Sequence, residues 1–147
     1  MGENTKRSLQ DERAGKPVVL MVDGVAHFHG YMHHLLTYND LDVDFMTAMS
    51  IEQAKLRIDE QTPDLILMEY WLPDGCGCDI IDYAESKGLS VKYALVTAFS
   101  EEQLASKGIR ERFVRGAHSM IRKQELCVLY GAYVASLLPG GGKATNE

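Results

Sequence analysis

Pro63-Asp64-Leu65-Ile66-Leu67-Met68-Glu69-Tyr70-Trp71-Leu72-Pro73-Asp74-Gly75 is the stretch on which the fold turns. Four consecutive apolar residues, Leu65 to Met68, end in a carboxylate and then in a loop bearing proline and glycine. A strand covered by helices on both faces reads as such a continuous apolar run rather than an alternating one. In open α/β sheets ligands gather beyond the carboxyl ends of the strands, so Glu69 stands at the functional edge.

Outward from this strand, apolar strands alternate with helical patterns five times. The spacing predicts strands at Val18–Val22, Val43–Ala48, Val91–Val96 and about Ser119–Ile121. A helix is expected over about His27 to Tyr38, with Phe28, Met32, Leu35 and Leu36 on one face. Ser50-Ile51-Glu52-Gln53 and Ser100-Glu101-Glu102-Gln103 have the form of capping boxes, each opening a helix. A third helix runs from about Cys78 to Ser86, with Gly88 as its C-terminal stop. Gly108 interrupts the fourth helical stretch, which resumes over Ile109–Arg115, and a last helix covers Glu125–Leu138. Regular βα alternation with short connections implies a doubly wound, five-stranded parallel sheet with helices on both faces. Residues 1–15 and 140–147 read as flexible ends of a single domain spanning 16–139.

The 147 residues carry a net charge of −6, which argues against the basic footprint of a nucleic-acid binder. No segment approaches the roughly 18 apolar residues of a membrane span, and the N-terminal residues lack the apolar core of a secretory signal. The three cysteines lack CxxC spacing, which points to a reducing compartment, the cytoplasm, rather than to a disulfide framework. Cys78 reads as a small buried hydrophobe and Cys76 as exposed. Without a resolving partner at CxxC spacing, the sequence gives a redox role no support.

Asp23, Glu69, Thr97 and Lys123 are the polar groups at the carboxyl ends of strands one, three, four and five. Two acids, a hydroxyl and an ammonium converging there suit a hard cation and phosphoryl oxygens. Each has a plainer reading as well. Glu69 can be a strand-end carboxylate paired with Lys123, Asp23 can cap the first helix, Thr97 alone is an ordinary strand residue, and Lys123 alone is a solvated lysine.

Val19-Leu20-Met21-Val22-Asp23, Pro63 through Glu69 with Leu72-Pro73, Leu95-Val96-Thr97-Ala98, and Gly116-Ala117 with Lys123 together resemble the response-regulator receiver domain (CheY-like) over about residues 17–139. The resemblance implies that acids after strands one and three hold Mg²⁺. It also implies that an aspartate at position 69 would accept a phosphoryl group from a histidine kinase. Thr97 and Lys123 would sense that group and repack the face of the fourth helix, fifth strand and fifth helix.

Several positions depart from the family pattern. The acid pair is Asp23-Gly24, which weakens any Mg²⁺ site; the acceptor aspartate is Glu69; the Lys-Pro pair is Lys123-Gln124; and the switch aromatic is Met120. Trp71 stands beside the acceptor position. The expectation is therefore an atypical, pseudo-receiver variant: a stand-alone, non-enzymatic signalling module. Glu69 would act in it as a built-in partial phosphate mimic. The alternative is a phosphorylatable, Mg²⁺-dependent receiver. A flavodoxin-like cofactor binder is disfavoured, because Asp23-Gly24-Val25-Ala26-His27 is no phosphate loop.

The expected partners are a signalling protein or kinase, with neither nucleic acid nor membrane. The uncharged last helix adds a possible homodimer through Cys127, Val128, Gly131, Ala132 and Ala135. His29 and His33 lie i,i+4, but nothing completes a metal site, so a solvated face is the expectation for the histidines of that helix.

Overall fold

The computed structural model describes residues 16–106, 119–125 and 134–139. The expectations for residues 1–15, 107–118, 126–133 and 140–147 lie outside them. Chain order gives β1 (Val18–Val22), α1 (Ala26–Tyr38), β2 (Asp44–Ala48), α2 (Ile51–Glu60), β3 (Leu65–Met68), β4 (Trp71–Leu72), β5 (Gly75–Cys76), α3 (Cys78–Ser86), β6 (Lys92–Thr97), α4 (Glu101–Ser106) and β7 (Ser119–Arg122). A short 3₁₀ turn, Lys123–Glu125, follows β7, so Glu125 closes a turn there. Helix resumes among the described residues at 134–136.

The main sheet is all parallel in the order β2-β1-β3-β6-β7. Every residue of β1 and β3 is buried, as is all of β6 after Lys92. This is the signature of strands covered on both faces. Alternate side chains then build two cores. Val19, Met21, Leu65, Leu67, Ala94 and Val96 meet Met32, Leu35 and Leu36 of α1 together with Val134 and Leu138. Leu20, Val22, Ile66, Met68, Tyr93 and Leu95 meet Ala54 and Ile58 of α2 and Ile80 and Ile81 of α3. No helix among the described residues is long and apolar enough to cross a membrane.

The capping boxes form as written, with one variation. Ser100 Oγ accepts from the Gln103 amide while Gln103 Oε1 accepts from the Ser100 amide. Ser50 Oγ accepts from the Gln53 amide, but Gln53 Oε1 takes the Met49 amide instead. α3 ends as expected, with Gly88 at φ +76° and the Leu89 amide reaching back to the Ala84 carbonyl.

Two features lie beyond the sequence reading. After Glu69 the chain makes a small antiparallel hairpin, in which β4 pairs with β5 as Trp71↔Cys76 and Leu72↔Gly75. Gly75 turns it at φ +148°, with the Ile51 side chain 2.8 Å from where a Cβ would stand. At the hairpin tip, Asp74 reaches across to α2, whose first amides, Ile51 and Glu52, donate to its two carboxylate oxygens at 2.8 and 3.1 Å.

Those bonds hold the Asp74 carboxyl below its ordinary value, with the Ile51 amide the largest cause. A depressed carboxylate contributes stability that is present above its unfolded value and lost as pH falls through the folded one. Asp74→Ala is expected to lower stability by about 1 kcal/mol at neutral pH, the usual magnitude of a lost cap. Urea unfolding should show the difference shrinking as pH drops below the ordinary carboxylate range.

At the opposite edge, the Asp64 carboxylate accepts from the Val18 amide, and the Asp64 amide donates to the Val18 carbonyl, both at 2.8 Å. β1 and β3 are thereby bracketed where they begin.

Candidate functional site

The carboxyl edge carries its acids because the ladder runs one rung past the strands. The Asp23 amide donates to the Ala48 carbonyl and the Glu69 amide to the Val22 carbonyl, each at 3.0 Å. Both side chains are consequently fixed at adjacent strand ends and buried, Asp23 at 1% exposure and Glu69 at 8%. Lys123, just past β7, swings over them. Its ammonium lies 2.6 Å from Asp23 Oδ2 and 3.3 Å from Glu69 Oε1. It also sits 4.2 Å from the centre of the Phe28 ring, so the stem and charge are shielded by an aromatic face.

The two remaining carboxylate oxygens are bound by main chain. The Val25 amide donates to Asp23 Oδ1 at 2.8 Å and the Tyr70 amide to Glu69 Oε2 at 2.9 Å. The bond to Val25 fastens the turn just before α1, close to the capping role open to Asp23 from sequence.

Thr97 stands apart from this triad. It is fully buried, and its hydroxyl accepts from the Phe99 amide at 3.2 Å. Glu69 therefore reaches Lys123 but makes no hydrogen bond to Thr97. Gln124, at the position of the family's proline, donates its side-chain amide to the Ala98 carbonyl at 2.8 Å and ties the end of β7 to the loop after β6. Trp71 packs edge-on to Phe99 at 5.1 Å and to Tyr70 at 4.7 Å, a partly buried aromatic cluster next to the acids.

His27, His33 and His34 are exposed as expected, and His29 alone departs from the solvated face. It is 7% exposed, and its Nε2–H donates to the Asp23 carbonyl at 2.8 Å, bracing the loop that carries the acid. His33 stacks on Phe45, so the i,i+4 pair does not converge on a metal. Among the described residues, the one group of three metal-capable side chains is Cys76, Cys78 and Asp79. Cys76 and Cys78 are joined in a disulfide, with Cα atoms 5.4 Å apart, where no disulfide was expected. Gly77, lying between them in the turn into α3, lets the two residues face each other. Of the residues expected to form a dimer face, Ala135 is 4% exposed and packed inside the chain. Cys127, Val128, Gly131 and Ala132 lie outside the described residues.

Residues 19–127 match the family described as the response regulator receiver domain. The chain belongs to that family. Among solved structures, this receiver is similar to a two-component response regulator from Clostridium difficile (19% identity, 83% of this chain and 95% of that one, TM-score 0.67). It is also similar to the receiver domain of an HD domain-containing protein from Pseudomonas fluorescens Pf-5 (18%, 90% and 93%, TM-score 0.68). The non-phosphorylated HemR receiver domain of Leptospira biflexa is a third (21%, 83% and 94%, TM-score 0.64). At such identities the likeness concerns the fold. A curated Haloferax volcanii protein, described as a candidate transcriptional regulator, is 29% identical over 96 residues, or 65% of this chain. The chain spans 16% of that relative's length.

The resemblance implies Mg²⁺ beside these acids, and the donor set here lacks a carboxylate at Gly24 and holds the Lys123 ammonium beside both Asp23 and Glu69. A hard cation needs free carboxylate oxygens. Asp23 Oδ1 and Glu69 Oε2 accept main-chain amides, and Asp23 Oδ2 and Glu69 Oε1 lie within ion-pair distance of the Lys123 ammonium, although the buried Asp23 Oδ2 has no hydrogen-bond partner. At Gly24, where the family has its second acid, a Cβ would stand 3.2 and 3.3 Å from Pro73 Cδ and Cγ. A side chain there would need the Pro73 ring to give by a few tenths of an ångström.

Proposed function

We propose that this receiver signals through protein–protein contact without an aspartyl phosphate, with Glu69 supplying a permanent negative charge at the acceptor position. The observation that carries the reading is the closed Asp23–Lys123–Glu69 triad. Its lysine pairs with both acids as a cation carried by the chain, 2.6 Å from Asp23 and 3.3 Å from Glu69. Glu69 is one methylene longer than aspartate, and its Oε1 lies 3.3 Å from the Lys123 ammonium.

A domain used in this way needs no turnover, only conformations that differ in affinity for a signalling protein or kinase. The partner-binding face is the one onto which Lys123 reports, at the end of β7. Glu69→Ala is expected to weaken partner affinity by roughly 5–150-fold, the usual range for coupling between two sites. It should also move the amide resonances of β7 and α4. Unchanged affinity together with unchanged resonances would sink the proposal.

The complementary experiment is an amide NMR titration with Mg²⁺ followed by beryllofluoride. Resonances of Asp23, Thr97 and Lys123 are expected to stay put. Saturable shifts at those three residues would restore the phosphorylatable reading.

A further inference from the structure

Cys76-Gly77-Cys78 joins the hairpin to the first turn of α3, and it rests on the strand that carries Glu69. Cys76 is held opposite Trp71 by the β4–β5 pairing. The Gly77 amide donates to the Tyr70 carbonyl. A Cβ at Gly77 would come within 2.8 Å of the Glu69 carbonyl oxygen and 2.9 Å of Met68 Sδ, so only glycine allows the tripeptide to lie this close. The two cysteine Cα atoms stand 5.4 Å apart, inside the roughly 4.4–6.8 Å that a disulfide spans. Cys76 is partly exposed and Cys78 is 3% exposed at the first residue of α3.

We infer that Cys76 and Cys78 form a reversible dithiol–disulfide site that exchanges with small-molecule disulfides, and that its closure braces the Tyr70–Trp71 segment beside Glu69. The chemistry is ordinary exchange. The Cys76 thiolate attacks one sulfur of a low-molecular-weight disulfide, forming a mixed disulfide and releasing one thiolate. Cys78, as thiolate, attacks Cys76 Sγ in that mixed disulfide and releases the second. Two protein thiols are oxidised, the small disulfide is reduced to two thiols, and the two protons leave with them. Excess small thiol runs the sequence backwards. The site is separate from the phosphorylation question, since it does not require Glu69 to be modified or unmodified.

The test uses the full chain in a Cys127→Ser background, so that only the pair counts. Samples equilibrated across glutathione/glutathione disulfide ratios are acid-quenched and alkylated with a maleimide. The expected result is a single transition from two alkylations to none, with Trp71, the chain's one tryptophan, changing emission at the same ratio. In Cys78→Ser, Cys76 should instead accumulate a mixed disulfide with glutathione.

Two alkylations at every ratio would overturn the site, as would a mixed disulfide that persists in the presence of Cys78. A thiol transition with unchanged Trp71 emission and unchanged Tyr70 and Gly77 amides would overturn the bracing. Protection of both thiols by equimolar Zn²⁺, with none from glutathione disulfide, would assign Cys76, Cys78 and Asp79 to a metal and remove the redox assignment.

Discussion

Lys123→Met is expected to remove about 3–5 kcal/mol of stability at neutral pH, the usual consequence of taking one partner from a buried ion cluster. Methionine keeps an apolar stem against Phe28, so packing is largely preserved and the loss is electrostatic. What remains is two carboxylates, 1% and 8% exposed, facing each other without a counter-charge. Against a typical total of about 5–15 kcal/mol, such a loss would appear in urea unfolding as a large fall in the midpoint. Adding Glu69→Gln in the same background should recover part of it, because one of the two like charges is gone while the side-chain length is kept. A single-variant loss below about 1 kcal/mol would place the cluster with ordinary surface ion pairs and remove the basis for treating Lys123 as a resident cation.

The second large effect concerns the acceptor. Glu69→Asp restores the family's acceptor residue, yet it is expected to stay unmodified when incubated with Mg²⁺ and a small acyl phosphate. Shortening the side chain withdraws it from Lys123 but leaves the 2.6 Å pair between Lys123 and Asp23 intact. Gly24 still contributes no oxygen. Gly24→Asp supplies one at the cost of a tight contact, since its Cβ would stand 3.2 Å from Pro73 Cδ and the ring would have to give by a few tenths of an ångström.

The combination Gly24→Asp, Pro73→Ala, Glu69→Asp opens that place and should gain a phosphoryl mass under the same conditions. A rate at least about a hundredfold above that of the single variant is expected, since misplacement on the scale of an ångström carries losses of that order. Intact-mass spectrometry decides the matter. Equal labelling of Glu69→Asp and the triple variant would show that neither Gly24 nor Pro73 limits the chemistry.

The sheet was legible in the chain because it rests on local pattern. Leu65–Met68 and Val18–Val22 are unbroken apolar runs, and a buried parallel strand has few other spellings. Asp23, Glu69 and Lys123 were legible as a group for a related reason: parallel topology brings every carboxyl end to one edge. Features that depend on loop geometry were not. Asp74 reaches amides 23 and 22 residues away, and no spacing rule joins a loop aspartate to a distant helix start.

His29 is buried through a bond to a carbonyl six residues earlier, although its place in the sequence is equally consistent with a solvated face. Cys76 and Cys78 failed the usual spacing test because that test assumes both cysteines lie within one helical turn. Here a hairpin end and a helix start bend toward each other around Gly77. Thr97 shows the converse limit, since its strand-end position was right but its hydroxyl turns to its own loop.

The reciprocal bonds between Asp64 and Val18 make the sheet a ruler. With β1 and β3 pinned at their origins and packed on both faces along their length, the spacing of the two strand ends that carry Asp23 and Glu69 is a fixed interval. Any gain or loss of charge across that interval has to be taken up by what lies beyond the last rung: the hairpin after Glu69, the turn after Asp23 and the swing of Lys123. The graduations do not move, so a change read at this edge is a change in the loops.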